Sequence, residues 1–220
     1  MASAFKLLIF DWDGTLVDSI STIVQAMKDS MLDLGVEIPP EDQIRNIIGL
    51  GMREAILELY PKQGQKTEFC EALRDRYRYH YMEKNSTTPP FFPGALDMLK
   101  SLHGAGKQLA VATGKSRRGL DDALEKTGIG YLFCAIRCAD EIFSKPNPLM
   151  LLDLLHTTGI ELSDALMIGD SEHDVAMAKN AGMASVAVTY GAQSRAVLNR
   201  YHPLHCFDTV ANLEHWLKNS

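Results

Sequence analysis

Short apolar runs recur along the chain and are separated by longer segments of helical character. They cover residues 6–10, 108–112, 165–168 and 184–188, and the first ends directly at Asp11. A brief and nearly uninterrupted apolar run is typical of a strand that is buried on both faces of a parallel sheet. Such strands in alternation with helices predict an α/β fold with a doubly wound parallel sheet.

The segment between about residues 19 and 89 differs from the rest of the chain. It has a helical period, is rich in Met, Tyr and charged residues, and contains no convincing buried strand. The consecutive prolines Pro89 and Pro90 mark its far end, because they cannot continue a helix. The sequence therefore predicts an α-helical cap domain of residues 19–89, inserted into a core domain of residues 1–18 and 90–220. The chain enters and leaves the insert close to the end of the first strand, so the insert is placed to cover that strand end.

The charge balance and the cysteines argue against several classes of function. The 22 Lys and Arg against 28 Asp and Glu give a formal net charge of −6, and no basic run offers a track for nucleic acid or anionic lipid. The first apolar run is far too short to span a membrane and has no signal-peptide cleavage pattern. The four cysteines form no Cys-x-x-Cys pair and are expected to be reduced thiols. We therefore expect a cytoplasmic protein with no nucleic-acid and no membrane partner.

Polar residues gather directly after the apolar runs. In an open α/β sheet, ligands bind at the carboxyl ends of the strands, so side chains that follow different strands can share one site. A lysine on the loop between the second and third of these runs belongs to the same group. In chain order, the candidates are Asp11, Asp13, Gly14, Thr15, Thr113, Gly114, Lys115, Lys145, Gly169, Asp170 and Asp174.

The carboxylates of this group point to a metal and to phosphoryl transfer. Carboxylates held together repel one another, and their pKa values rise unless a cation neutralises them. Ligation by oxygen alone favours Mg²⁺, which usually keeps several waters and takes one or two protein carboxylates. The lysine and the threonine would then face the anionic oxygens of a substrate. A nucleophilic carboxylate, a metal and a lysine suit in-line phosphoryl transfer, in which positioning and charge stabilisation do nearly all the work.

Four segments resemble, in the same order, the motifs of the haloacid dehalogenase superfamily in its phosphatase form. FDWDGTLVDS at 10–19 is similar to the first motif and ATGKS at 112–116 to the second. SKPNP at 144–148 is similar to the third and GDSEHDV at 169–175 to the fourth. The resemblance covers essentially the whole chain and is closest to phosphoglycolate-phosphatase-like members with a helical cap. It implies a Rossmann-like core and hydrolysis of small-molecule phosphate monoesters.

The resemblance also implies roles for the acidic residues. Asp11 would attack phosphorus, and Asp13 would protonate the leaving alkoxide and then activate the water that hydrolyses the aspartyl-phosphate. Mg²⁺ would be held by the Asp11 carboxylate, the backbone carbonyl of Asp13, and Asp170. Asp174 would anchor the waters of the metal or Lys145, although an acid at this position also suits the first turn of a helix.

The remaining implied roles concern the substrate. Thr113, the Gly114 N–H and Lys145 would bind the phosphoryl oxygens. Arg53, in a cap segment that resembles the specificity loop of this group, is a candidate for the far anionic end of the substrate. We interpret the tyrosines of the insert, which include Tyr77, Tyr79 and Tyr81, as packing residues.

Other functions stay open at this point. A phosphosugar mutase of the same superfamily would use the same aspartate pair and a similar cap. A dehalogenase is disfavoured because that branch replaces the second acid, and a phosphonatase because its cap supplies a Schiff-base lysine where Arg53 stands. A non-enzymatic receiver module also has a phosphorylated Asp, a Thr and a Lys, but it needs no inserted cap. The sequence leaves open the physiological substrate, the pathway, the oligomeric state and the resting position of the cap.

Overall fold

The computed structural model describes residues 5–84 and 88–219. Its centre is a six-stranded sheet, formed by β1 Leu7–Phe10, β2 Gln108–Thr113, β3 Phe133–Cys138, β4 Ala165–Gly169, β5 Ala184–Val188 and β6 Cys206–Phe207. The strand order is β3-β2-β1-β4-β5-β6, and every neighbouring pair is parallel. The four apolar runs correspond to β1, β2, β4 and β5, so these strands and the parallel sheet are confirmed.

Helices cover both faces of the sheet. They are α5 Ala95–Gly104, α6 Arg117–Thr127, α7 Leu149–Thr158, α8 Glu172–Ala181, α9 Arg195–Leu198 and α10 Val210–Asn219, with 3₁₀ turns at Gly130–Leu132, Leu162–Asp164 and Asn199–Tyr201. Leu8 and Phe10 of β1 pack in one cluster with residues of α5, α6 and α10. Leu7 and Ile9 pack in a second cluster with residues of α7 and α8. Successive side chains of β1 thus enter opposite cores, which explains its unbroken apolar sequence and confirms the doubly wound architecture.

The insert between β1 and β2 is helical in its described part. It contains α1 Ile20–Asp33, α2 Glu41–Asn46, α3 Met52–Leu59, α4 Thr67–Arg78, a 3₁₀ turn at Gln63–Gln65 and a π-helical segment at Tyr79–Lys84. Its apolar residues form a cluster of their own. Residues 1–4, 85–87 and 220, which the predicted core (1–18 and 90–220) and cap (19–89) include, lie outside the described residues. The division of the chain at these boundaries stays a prediction.

The chain leaves the core for the insert, and returns to the core, through two neighbouring backbone segments. Val17 forms an antiparallel bridge with Phe91, the Asp18 N–H donates to the carbonyl of Pro90 at 2.8 Å, and the Phe92 N–H donates to the carbonyl of Leu16 at 3.0 Å. This paired connection follows directly after β1, so it holds the helices of the insert above the carboxyl edge of the sheet.

Within the described residues, no helix has both the length and the apolarity that crossing a membrane would require.

Candidate active site

Three carboxylates and one lysine meet at the carboxyl edge of the sheet. One carboxylate oxygen from each of Asp11, Asp170 and Asp174 lies within 4.8 Å of the others. Lys145 Nζ lies 2.8 Å from Asp11 Oδ1 and 2.6 Å from Asp174 Oδ1, and its side chain is 0% exposed. We call these four residues the strand-end cluster. Because β1 and β4 are neighbours, the residues that follow them come together without any long loop.

The electrostatics of the strand-end cluster favour a cation. Burial, opposed by Lys145 and assisted by Asp174, raises the pKa of Asp11 from 3.8 to about 7. Burial, followed by the charges of Asp11 and Asp174, also raises the pKa of Asp170 well above its ordinary value. Burial lowers the pKa of Lys145, but the two neighbouring carboxylates outweigh it, so the net shift is upward and the lysine is an ammonium. A single ammonium cannot balance three buried carboxylates.

The donor atoms fit a divalent metal. Asp11 Oδ1 is buried and accepts no hydrogen bond of good geometry, although Lys145 lies beside it. Three carboxylates in close proximity form an all-oxygen set of the kind that hard divalent cations prefer. The strand-end cluster therefore has both the charge and the free oxygen that such a cation would use.

Short hydrogen bonds fix the orientation of Asp170. The Thr15 hydroxyl donates to Asp170 Oδ1 at 2.9 Å, and the Ala192 N–H donates to Asp170 Oδ2 at 2.6 Å. A Cβ on Gly14, whose φ is +81°, or on Gly191 would lie 2.2 Å from Asp170 Oδ2. Glycine at both positions therefore lets two loops close around this carboxylate. Gly191 and Ala192 follow β5 and were not among the candidates, since nothing in their sequence marks them as neighbours of Asp170.

Asp174 combines a structural role with a place in the strand-end cluster. Its Oδ2 accepts from the Ser171 N–H at 3.0 Å and from the Ser171 hydroxyl at 2.6 Å. The Asp174 N–H in turn donates to the Ser171 hydroxyl oxygen at 3.4 Å, which completes a capping box at the start of α8. Its Oδ1 accepts from Lys145. A Cβ on Gly169 would lie 2.3 Å from the Asp174 carboxyl carbon, so only glycine fits there. The interpretation of Asp174 as a first-turn acid and its interpretation as a site residue are thus compatible.

Asp13 has side-chain partners that differ from those of the strand-end cluster. Its two carboxylate oxygens accept from Lys115 Nζ at 3.1 and 3.0 Å, and its Oδ1 also accepts from the Ser19 hydroxyl at 2.7 Å. Lys115 was a candidate by position without an assigned role. The pairing joins residues that are 102 positions apart, and no sequence pattern could have indicated it.

Thr113 and Gly114 lie where β2 ends, beneath a loop of the insert. Thr113 is buried, and its Oγ1 accepts from the Lys115 N–H at 3.2 Å. A Cβ on Gly114 would lie 2.4 Å from the Gly49 carbonyl oxygen, so glycine is required for this close approach. The Gly51 N–H donates to the Ser144 hydroxyl at 2.7 Å, next to Lys145 in sequence. The loop at 49–51 therefore contacts two core segments that carry candidate residues, one at Gly114 and one next to Lys145.

A cavity of about 650 Å³ lies between the insert and the strand ends. Its floor includes Asp11, Asp13, Thr113, Gly114 and Lys115, whereas Lys145, Asp170 and Asp174 are buried and do not line it. Four exposed arginines contribute to its wall, and we call them the arginine rim: Arg53, Arg74, Arg78 and Arg118. Of these four, the sequence predicts only Arg53 as a site residue, because the other three lie in helices without a motif.

The comparisons with known proteins agree with this geometry. The model of the family described as haloacid dehalogenase-like hydrolase matches residues 8–188. The chain belongs to the haloacid dehalogenase-like hydrolases. It is 34% identical over 210 residues to "Probable phosphatase IndB" of Dickeya dadantii (strain 3937), with 94% of this chain and 91% of that protein covered. It is 31% identical over 214 residues to "Phosphoglycolate phosphatase" of Vibrio parahaemolyticus serotype O3:K6, with 94% of each covered.

A solved structure shows the same architecture throughout the chain. The crystal structure of a predicted phosphatase from Clostridium acetobutylicum superposes with a TM-score of 0.87 at 26% identity, covering 99% of this chain and 100% of that one. The predicted superfamily, the fold with its helical insert, and an enzyme of the phosphatase type are thereby confirmed.

Proposed function

We propose that this hydrolase is a Mg²⁺-dependent phosphatase that cleaves small phosphate monoesters through an aspartyl-phosphate on Asp11. The observation that carries the proposal is the position of Asp11. Its carboxylate lies on the cavity floor and, at the same time, contacts the buried Lys145 and lies next to Asp170 and Asp174. It is the member of the strand-end cluster that both a metal and a substrate in the cavity can reach.

The two aspartates at the end of β1 divide the chemistry. An oxygen of Asp11 forms a bond to phosphorus, the ester P–O bond breaks, and Asp13 gives its proton to the leaving alkoxide. Water then attacks the same phosphorus while Asp13 takes its proton, and the bond between Asp11 and phosphorus breaks to release inorganic phosphate. Asp13 lines the same cavity but has different partners from Asp11, which supports separate roles for the two carboxylates.

The strand-end cluster is the proposed metal site. Asp11, the backbone carbonyl of Asp13 and Asp170 would hold Mg²⁺, with Asp174 anchoring its waters or Lys145. When bound, the metal would neutralise the carboxylates and the charge on the transferring phosphoryl group. The hydrogen bonds of Asp170 to Thr15 and Ala192 support this assignment, because they fix its orientation before a ligand arrives.

Thr113, the Gly114 N–H and Lys145 are the proposed partners of the phosphoryl oxygens. Thr113 and Gly114 line the cavity beside Asp11. Lys145 is buried and its Nζ lies 2.8 Å from Asp11 Oδ1, so its ammonium would act right beside the nucleophile. Arg53 is the proposed partner of a second anionic group on the substrate, and it lines the cavity wall with its side chain exposed. We propose that the insert, residues 19–89, acts as the cap that covers this site.

Phosphoglycolate is the first substrate to test, because relatives that match 94% of the chain carry the name phosphoglycolate phosphatase. We also propose that the protein works in the cytoplasm, where its four cysteines, all free in the structure, would stay reduced. The partner that we propose is the small phosphate ester alone.

The decisive experiment measures phosphate release from a panel of small phosphate esters, with Mg²⁺ and with chelator. Release that requires Mg²⁺ is expected, with phosphoglycolate among the esters cleaved. An isomerised ester in place of inorganic phosphate would instead identify a phosphosugar mutase. A long-lived phosphoryl group on Asp11 in the wild-type protein would identify a receiver module.

A further inference from the structure

Lys115 occupies an unusual position between the core and the insert. It follows Thr113 and Gly114 on the loop after β2, and its Nζ lies 3.1 and 3.0 Å from the two carboxylate oxygens of Asp13. The side chains of Lys115 and Asp13 are only 10% and 12% exposed. An ion pair this well shielded from water is stronger and more rigid than a surface pair.

The same ammonium is also held from the insert. Lys115 Nζ donates to the Tyr81 hydroxyl at 3.1 Å and lies 4.5 Å from the centre of the Tyr81 ring, within the range of a cation–π interaction. The Tyr81 ring stacks on Tyr77, with 5.5 Å between centroids and 18° between planes. Tyr81, interpreted from sequence as a packing residue, thus also contacts a charged group on the cavity floor.

Asp13 needs a fixed orientation if it serves first the leaving oxygen and then the attacking water. The Ser19 hydroxyl contacts Oδ1 alone, whereas Lys115 contacts both oxygens. Lys115 therefore fixes both carboxylate oxygens of Asp13 at once.

We infer that Lys115 is a positioning residue for Asp13 and that Tyr81 of the insert holds the Lys115 ammonium in place. The inference rests on the proposed function, in which Asp13 transfers the proton. It makes the acid-base step depend on a contact between the insert and the core. If Lys115 simply bound the phosphate group of the substrate, its removal would weaken substrate binding whether or not Asp13 was present.

The first test compares two leaving groups. Lys115→Met keeps the length of the side chain and removes its charge, and single-turnover phosphorylation is measured with p-nitrophenyl phosphate and with the best alkyl phosphate of the wild-type panel. The nitrophenolate departs without a proton, whereas the alkoxide needs one from Asp13. We expect a loss of about tenfold or more with the alkyl ester, within the roughly 10² to 10⁴-fold that acid-base catalysis contributes. With the aryl ester we expect a loss below about threefold, because only the proton-dependent part of the rate is affected.

A double-mutant cycle provides the second test. In an Asp13→Asn background, Lys115→Met has no carboxylate left to position, so its effect on phosphorylation by the alkyl ester should shrink to less than about twofold. Equal losses with both esters, or a full Lys115→Met effect in the Asp13→Asn background, would overturn the inference. A rise in KM with unchanged kcat would overturn it too, because it would identify Lys115 as a substrate-binding group.

The contribution of Tyr81 is read from two further variants. Tyr81→Phe keeps the ring and loses the hydroxyl, and Tyr81→Leu loses both, so the alkyl-ester defect should grow from the first to the second.

Lys115→Arg, which restores a charge, should recover part of the activity. Lys6→Met, which removes an exposed lysine paired with Asp164 at 2.7 Å, is the control and should behave as wild type. Should Lys115→Met fail to fold by circular dichroism, Tyr81→Phe takes its place in both tests.

The failure of the proposed function and the failure of this inference are distinguishable. If the wild-type protein releases phosphate from neither ester, both fall together. If the wild-type protein does release phosphate, but the loss in phosphorylation rate for Tyr81→Leu and Lys115→Met is the same with both esters, the inference alone falls.

Discussion

The carboxylates of the strand-end cluster are buried and closely partnered, whereas the cations of the arginine rim are exposed and mostly unpaired. Every member of the strand-end cluster has a partner within 3 Å. In the described part of the chain, Arg53, Arg78 and Arg118 have no ion-pair partner, and Arg74 has one at 3.5 Å. Buried charges are costly to disturb, while exposed ones can be exchanged at little cost to stability. The difference supports the proposal that the chemistry takes place at the strand ends and that the arginine rim contributes to substrate selectivity.

The largest effect should come from Asp11. Asp11→Asn keeps the shape of the side chain and removes the nucleophilic charge, so we expect a loss of activity on the order of 10⁴-fold or more with the fold intact. Phosphate release and circular dichroism measure the two properties. Asp140→Asn, which changes another carboxylate at the cavity, is the matched control and should stay within about threefold of wild type. Turnover by Asp11→Asn at the wild-type rate would exclude Asp11 as the nucleophile.

Lys145 should affect both activity and stability. Lys145→Met leaves Asp11 and Asp174 buried without their ammonium, so we expect a loss of about 3 to 5 kcal/mol in the free energy of unfolding without metal. The loss in kcat should be about 10² to 10³-fold, as for other groups that stabilise transition-state charge. Denaturant titration and steady-state kinetics test these values, with Lys6→Met as the exposed control. Wild-type stability for Lys145→Met would show that the strand-end cluster does not depend on this ion pair.

Metal should stabilise the protein more at high pH than at low pH. The pKa of Asp11 is raised from 3.8 to about 7, so its contribution to stability is greatest below the unfolded pKa and is lost as the pH rises through about 7. Above that pH, the buried and ionised Asp11 carboxylate destabilises the folded protein. A bound cation removes this cost by pairing with the ionised carboxylate. We therefore expect a larger gain in melting temperature on adding Mg²⁺ at pH 8 than at pH 5, measured against chelator. An equal gain at both pH values, or the same pH dependence in Asp11→Asn, would contradict the assignment.

The fold and the strand-end cluster could be predicted because both depend on local sequence. The apolar runs mark strands that are buried on both faces, and the residues directly after them meet at one edge. Strand β3 was missed because it lies at the edge of the sheet and mixes buried with exposed positions. The contact of Lys115 with Asp13 and Tyr81, and the closure of Gly191 and Ala192 around Asp170, depend on how distant segments pack. No local pattern carries that information.

The smallest effect should come from the arginine rim. Arg53→Ala should raise KM about tenfold, or about 1.4 kcal/mol, for an ester with a second anionic group, with kcat nearly unchanged. An ester of similar size without that group should show no change in KM. Arg45→Ala, on the insert but outside the cavity, is the control. A fall in kcat with KM unchanged would mean that Arg53 belongs functionally with the strand-end cluster.

The central claim, a covalent aspartyl-phosphate on Asp11, is tested most directly in Asp13→Asn. Without the base that activates water, the intermediate should persist, so the variant is mixed with an alkyl or aryl phosphate and Mg²⁺, quenched in acid, and examined by intact-mass and peptide mass spectrometry. The proposed function predicts one added phosphoryl group, located on Asp11 and absent from the double variant Asp11→Asn with Asp13→Asn. A variant that still consumes the ester but carries no phosphoryl group, or carries it on another residue, would contradict the claim.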